Sequence, residues 1–301
     1  MAGVKGKTEM LTVMAPAKLN LTLEVLDRRN DGFHEIRSVV QTIDLCDRIV
    51  FRPGDRITFK CHAPGWLLEE SLVSRAAALL KDVSGHTEGA SIDISKKIPL
   101  LSGLGGDSSD AAAILIALSR LWKLACPPGE LARLASQLGS DVAFFLFGGT
   151  ALMQGRGEVV SPLPPLPGMW VVLLVPDVPR SAGKTGRLYD SLKKEHYSDG
   201  QATEDLVALL TRGGDVMAEN LCNAFECVAY DSFEGLGGYR QRFLEAGAGG
   251  VHLAGSGPAL FSLFRDKAEA EKVYASLKKQ KLEAYLAETM TTDKRMEQVT
   301  E

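Results

Sequence analysis

The chain has 301 residues, 45% of them hydrophobic and 24% charged, with a formal net charge of −4. That is enough for an ample core and two domains, and it lacks the broad basic surface that nucleic acid requires. Cys46, Cys61, Cys126, Cys222 and Cys227 form no Cys-x-x-Cys pair and no His-spaced metal pattern, which fits reduced thiols in a cytoplasmic protein. No apolar run approaches the roughly 18 residues of a membrane helix. Residues 1–11 carry Lys5, Lys7 and Glu9 but no apolar signal core, so no presequence is expected.

Along the chain, strand-like patterns occupy residues 11–14 and 19–26, followed by a turn at 28–32 and further strands at 39–43 and 48–51. Apolar residues at helical spacing predict helices over 72–83, 110–124 and 131–138, with a half-exposed strand over 90–98. The segment 161–168, Ser-Pro-Leu-Pro-Pro-Leu-Pro-Gly, is the sharpest change of composition. Prolines at that density continue neither a helix nor a central strand, which places a domain boundary between 1–160 and 161–301. Beyond it we expect a buried strand at 170–175, helices at 205–210 and 220–230, paired strands at 250–254 and 260–264, and an amphipathic helix at 267–278. The charged tail from 290 onward is expected to fray. The pattern is that of a mixed α and β protein without internal repeats.

The most informative segment is 99–113, Pro-Leu-Leu-Ser-Gly-Leu-Gly-Gly-Asp-Ser-Ser-Asp-Ala-Ala-Ala. Glycines that let main-chain amides face a ligand run into hydroxyls and a helix start near Ser108, where unpaired N–H groups and the helix dipole favour an anion. This predicts a phosphate cradle. No Lys-Ser or Lys-Thr follows the last glycine, so it is not a P-loop. A dinucleotide turn fits poorly too. Ser108 stands at the third glycine, Pro99 breaks the strand exit, and no acidic strand end lies about 20 residues on.

Further segments accompany the loop in order: Ala-Pro-Ala-Lys-Leu-Asn-Leu at 15–21, Arg-Asn-Asp-Gly-Phe-His-Glu at 29–35, Gly-Ser-Asp-Val-Ala-Phe-Phe at 139–145 and Leu-Ala-Gly-Ser-Gly-Pro-Ala at 253–259. Together these resemble the GHMP kinase superfamily over roughly residues 12–265. The resemblance implies a two-lobed α+β fold, with an N-terminal lobe similar to ribosomal protein S5 domain 2, a ferredoxin-like C-terminal lobe and the active site between them. It implies ATP, brought as MgATP, and a small-molecule alcohol as acceptor, here one of the branch that phosphorylates a tertiary hydroxyl of a cytidylyl-bearing polyol.

Residue by residue, the resemblance makes Asp141 the base and Lys18 its cationic partner. Asn20 shares a strand face with Lys18 and can bind the same polyol. The phosphate loop would comprise Pro99, Gly103, Leu104, Gly105, Gly106, Asp107, Ser108 and Ser109, with Gly255 and Ser256 in a second loop nearby. Phe33 and His34, together with Thr185 and Tyr189, would hold the cytosine, with aromatic rings on both sides. Each has a plainer reading. Asp141, Ser108 and Ser109 could be helix caps, and the aromatic residues could be core. Gly255 to Gly257 could be a hairpin turn. Asp107 is an anomaly, because a carboxylate in a phosphate loop repels the ligand unless it turns away or meets a metal. Asp110 reads as structural, favouring the first helical turn through the dipole. Metal ligands and oligomeric state are not legible. Three readings stay open: the cytidylyl-polyol kinase, a homoserine- or mevalonate-type kinase, and a non-catalytic ligand sensor. Phe33-His34 disfavours the second, and the joint presence of Lys18 and Asp141 disfavours the third.

Overall fold

The computed structural model describes residues 10–127, 129–291 and 298–300. Strands β1 (Leu11–Asn20) and β2 (Thr22–Arg28) run antiparallel along one edge of the long strand β3 (His34–Gly54). Next come β4 (Thr58–Cys61), α1 (Leu72–Ser84), β5 (Gly89–Ser95), α2 (Gly106–Leu121), α3 (Glu130–Leu138), α4 (Ser140–Phe147), β6 (Thr150–Gly155) and β7 (Val159–Pro162). β5 and β6 pair with the other edge of β3, β4 lies parallel to β5, and β7 forms a hairpin with β6. The proline-rich segment begins on β7, an edge strand, where Pro162 has no central ladder bond to donate.

The remainder comprises β8 (Trp170–Leu174), α5 (Lys184–Ser191), α6 (Gln201–Thr211), β9 (Cys222–Asn223), α7 (Glu226–Ser232), α8 (Leu236–Glu245), β10 (His252–Leu253), β11 (Leu260–Phe264), α9 (Lys267–Lys279), β12 (Ala284–Glu288) and β13 (Gln298–Thr300). β10, β11, β8 and β12 form a second, antiparallel sheet. Its strands alternate between two cores. Val171 and Leu173 face one and Val172 and Leu174 the other, which is why 170–175 reads as an unbroken apolar run. The first sheet packs α1 to α4 on one face, while its other face shares a core with the second sheet and α6. β9, parallel to β2, carries C-terminal residues onto the edge of the first sheet.

A bulge between β1 and β3 sets the site, and its two extra residues, Asp44 and Leu45, lie on β3. The register against β3 slips between Pro16 and Ala17, with Pro16 opposite Cys46 and Ala17 opposite Ile43. Val13 and Ala15 face the helices, whereas Ala17, Leu19 and Leu21 face the core shared with the second sheet. Odd-numbered residues therefore change sides at the bulge. Lys18 and Asn20 are turned towards the helical side, an example of a bulge re-aiming side chains.

The structure departs from sequence expectation in several places. The strands expected at 39–43 and 48–51 are one 21-residue strand, β3. Helix α2 starts at Gly106, with Gly105 as its left-handed N-cap, so Ser108 and Ser109 lie inside its first turn and are not caps. It ends at Leu121, short of the expected 124. The helix expected over 220–230 is split: the Asn223 Oδ1 accepts the Phe225 N–H at 3.0 Å, a local turn that competes with helix. Cys222 and Asn223 join the sheet, and α7 begins only at Glu226. The tail also differs, because Gln298 to Thr300 pair antiparallel with β1, while the expectation for 292–297 lies outside the described residues.

Asp110 owes its place to more than the helix dipole. Its Oδ2 accepts from Lys96 Nζ at 2.7 Å, and Lys96 also reaches Asp47, whose other oxygen takes the amides of Lys97 and Ile98. Burial pushes the Asp110 carboxyl well above its ordinary range, against the pull of Lys96. Removing the cation would strand buried carboxylates. Lys96→Met is expected to cost about 3–5 kcal/mol in a urea titration at pH 8. The loss should shrink as pH falls, because protonation removes the unpaired charge; a substitution cost independent of pH would contradict this account.

Candidate active site

Lys18, Asp141, the glycine loops and the aromatic residues line one cleft of about 800 Å³. Lys18 is 4% exposed; its Nζ donates to Asn20 Oδ1 at 2.6 Å and lies 3.4 Å from Asp141 Oδ2. Asn20 in turn donates to Ser38 Oγ at 2.8 Å, which fixes its amide and leaves the carbonyl for Lys18. Asp141 sits in the first turn of α4. The N-cap there is Gly139 and no side chain caps it, so the carboxylate is directed to the cleft and not to its own helix.

The loop between β5 and α2 approaches β1 through its backbone, where Lys18 N–H donates to Leu104 O at 2.9 Å. Gly105 has φ +74°, and a Cβ there would come 3.0 Å from both Lys18 Cγ and Phe145 Cζ. Leu104 and Ser109 point into the protein and are buried, while Pro99, Gly103, Gly105, Gly106, Asp107 and Ser108 line the cleft. Asp107 turns aside. Its oxygens take Ser71 Oγ at 2.5 Å and Leu72 N–H at 2.8 Å, placing the carboxylate on the N-terminus of α1.

The second loop meets the first directly. A Cβ on Gly255 would lie 2.7 Å from Gly103 O and 3.0 Å from Lys18 Nζ, so only glycine permits this contact. Gly255 O also accepts Asn223 Nδ2 at 2.8 Å, and Ser256 Oγ lies 2.8 Å from Thr185 Oγ1. The segment does sit at the β10–β11 connection, and it doubles as a wall of the cleft.

At the aromatic end, the His34 and Tyr189 rings stack with centroids 4.8 Å apart and planes 15° apart. His34 Nε2 lies 3.2 Å from Tyr197 Oη, and Tyr189 meets Phe225 edge-on. Burial, aided by the cation of Arg28, lowers the His34 pKa, and burial raises that of Tyr189 with help from Asp141. Phe33 is 54% exposed, and the Arg156 guanidinium lies 4.6 Å from its ring centroid. Sequence reasoning did not single out Arg156, Arg180 or Lys184, all of which line the cleft. Only Lys184 left a signal, in the Gly-Lys-Thr run 183–185 at the start of α5. Among the described residues no cluster of His, Cys, Asp and Glu could hold a metal ion, and no helix is long and apolar enough to cross a membrane.

Comparison with known proteins finds relatives over most of the chain. The model of the GHMP kinases N terminal domain matches residues 71–149, and that of the GHMP kinases C terminal matches 206–283. A 4-diphosphocytidyl-2-C-methyl-D-erythritol kinase of Dehalococcoides mccartyi is 48% identical over 281 residues, 93% of this chain and 99% of that protein. Its counterpart in Symbiobacterium thermophilum is 40% identical over 91% of this chain and 98% of its own length. The crystal structure of a 4-(cytidine 5'-diphospho)-2C-methyl-D-erythritol kinase superposes with a TM-score of 0.78 at 33% identity, covering 92% of this chain and 98% of that one. Homoserine kinase from Cytophaga hutchinsonii, at TM-score 0.75 and 20% identity over 99% of this chain and 100% of its own, shares the fold. The chain belongs to the GHMP kinase family and, within it, to the 4-diphosphocytidyl-2-C-methyl-D-erythritol kinases.

Proposed function

We propose that the chain transfers the γ-phosphoryl group of MgATP to the 2-hydroxyl of 4-diphosphocytidyl-2-C-methyl-D-erythritol, a step of the non-mevalonate isoprenoid precursor pathway, with Asp141 as base and Lys18 beside it. The observation that carries this is the Lys18–Asp141 pair, 3.4 Å apart, in a cleft that holds the glycine loops and the Phe33, His34 and Tyr189 rings. An alcohol is about as weakly acidic as water, far less so than a carboxylic acid. A carboxylate is too weak a base to take that proton before bond formation begins. A loose transition state permits late transfer, so Asp141 first orients the hydroxyl and then accepts its proton. Lys18, buried and directed by Asn20, faces the charge that develops on the transferring oxygens.

The glycine loop and the first turn of α2 offer N–H groups to the nucleotide phosphates, with Ser108 as the cleft-facing hydroxyl. Mg²⁺ keeps several waters and binds substrate phosphates with few protein oxygens. The residues present fit that role: the Ser108 hydroxyl and the Asp141 carboxylate face the cleft, while Asp107 is spent on α1. The ion would neutralise phosphate charge. The acceptor's cytosine would stack on the outer side of the His34–Tyr189 pair, since those rings already touch, with Phe33 as the exposed second platform.

Asp141→Asn and Lys18→Met are each expected to keep the fold and ATP affinity while lowering turnover about 10²–10⁴-fold. Near-normal turnover in either would remove that residue from the chemistry. Gly105→Val should weaken nucleotide binding, because a branched side chain at φ +74° collides with Lys18 and Phe145. Equilibrium titration with ATP checks this, and unchanged affinity would mean that the loop is not the cradle.

Recognition should depend on the cytosine, although the reaction occurs at the other end of the acceptor. Stacking contributes about 1–3 kcal/mol per base in single-stranded nucleic-acid sites. Phe33→Ala and Tyr189→Ala should therefore lower kcat/KM, and methylerythritol phosphate without the cytidylyl group should be a very poor acceptor. His34→Ala should narrow the preference for cytosine over uracil, which differ in an amino donor against a carbonyl acceptor. Coupled ADP release with cytidylyl, uridylyl and truncated acceptors measures all of these. Equal reaction of the truncated compound, homoserine or mevalonate would leave only a broader small-molecule kinase.

A further inference from the structure

Lys184 is a cleft-lining cation for which the mechanism above has no use. It opens α5 and is only 7% exposed, with its Nζ donating to Ser256 O at 3.2 Å, to Ser256 Oγ at 2.9 Å and to Gly257 O. Those acceptors match the three N–H bonds of an ammonium and are all neutral oxygens. Thr185 adds its hydroxyl to the same Ser256 at 2.8 Å. From the opposite side, Asn223 Nδ2 holds Leu253 O at 2.9 Å and Gly255 O at 2.8 Å. The loop that touches Gly103 and Lys18 is thus gripped between β9 and α5.

We propose that Lys184 is a positioning residue for phosphoryl transfer, a buried ammonium that latches the start of α5 to Ser256 and Gly257 and so holds the second glycine loop against the phosphate end of the cleft. The inference rests on the kinase reading above. It joins the two halves of substrate recognition, because the helix that bears Lys184 also bears Tyr189 of the aromatic platform.

The latch should respond to protons. Burial, with Lys18 on β1 and Arg180 ahead of α5, pushes the Lys184 amine down to about 7. Asp141 on α4 is engaged with Lys18, Tyr189 lies on α5 itself, and residues 253–261 carry no ionisable side chain. A neutral amine has two N–H bonds for three oxygens and turns a lone pair on one of them, so deprotonation loosens the grip. A polyphosphate entering the cleft favours the ammonium and raises its pKa. Ligand binding above pH 7 must then take up a proton. The help that Lys184 gives to affinity is complete below about 7 and is lost as pH rises through the higher value of the complex.

The test is calorimetric binding of MgADP at pH 7.5 in buffers of contrasting ionisation enthalpy, with wild type, Lys184→Met and Lys184→Arg. Wild type should take up most of a proton, and both variants should lose that uptake. Lys184→Met should lower kcat about tenfold or more with a smaller change in KM, the split expected when alignment is lost. Lys184→Arg, which stays charged, should recover part of kcat and flatten its decline above pH 7. Absence of proton uptake in wild type, a measurement that needs no variant, would overturn the proposal, as would equal uptake in Lys184→Met. A wild type that turns over the cytidylyl acceptor without proton uptake refutes the latch alone. A wild type that neither binds MgADP nor turns over acceptor refutes the kinase reading as well.

Discussion

Proline has no amide hydrogen to give to a neighbouring strand, and Pro16 stands inside β1 opposite Cys46 of β3. The register slips immediately after it, where β3 carries two extra residues, and later residues of β1 face the opposite side. Without the slip, Lys18 and Asn20 would lie on the face opposite Val13 and Ala15 and point into the core shared with the second sheet. A lysine there would be a buried charge far from any carboxylate, at a cost of several kcal/mol after relaxation. With it, Lys18 meets Asp141 on α4 and Leu104 of the glycine loop. One backbone irregularity thereby brings strand, loop and helix to the same point.

The cleft walls are largely backbone, and they close only because side chains are absent at the crossing. Gly255 approaches Gly103 so nearly that a methyl group would collide. The cations Lys18, Lys184 and Arg180 then gather in a restricted, partly dry space with neutral oxygens as many of their partners. Such an arrangement is unfavourable when empty and favourable when an anion enters. Part of the folding energy is held in an environment prepared for negative charge, which is the condition for electrostatic stabilisation of phosphoryl transfer.

Much of this was legible in the sequence, for physical reasons. The glycine loop declares itself because the chemistry needs backbone approach, and the Lys18–Asn20 spacing gives a shared strand face whichever way the strand turns. The slip at Pro16 was not legible, since a proline in an apolar run announces an irregularity without stating which face follows. Long-range burial was equally silent. Asp47, Lys96 and Asp110 stand far apart in the chain, and only folding makes them one charge network. His34 and Tyr189 were both expected at the cytosine, yet their contact with each other depends on how α5 docks. Lys184 was overlooked because a lysine beside a threonine at a helix start is ordinarily a solvated charge.

The acidic residues around the phosphate loop show how an anion site tolerates carboxylates. Asp107 and Asp110 flank Ser108 and Ser109, and left free they would oppose any phosphate at the start of α2. Each is disposed of differently. Asp107 takes the amide and hydroxyl at the start of α1, so its charge meets the positive end of one helix and leaves that of α2 for the ligand. Asp110 is withdrawn into the protein and bound by Lys96, whose Nζ lies 3.4 Å from where a Cβ on Gly106 would stand. The loop's sequence carries negative charge, while the oxygens of both carboxylates are taken up by the start of α1 and by Lys96. What a ligand meets is set by where the carboxylates point, and that follows from the placement of α1 against α2.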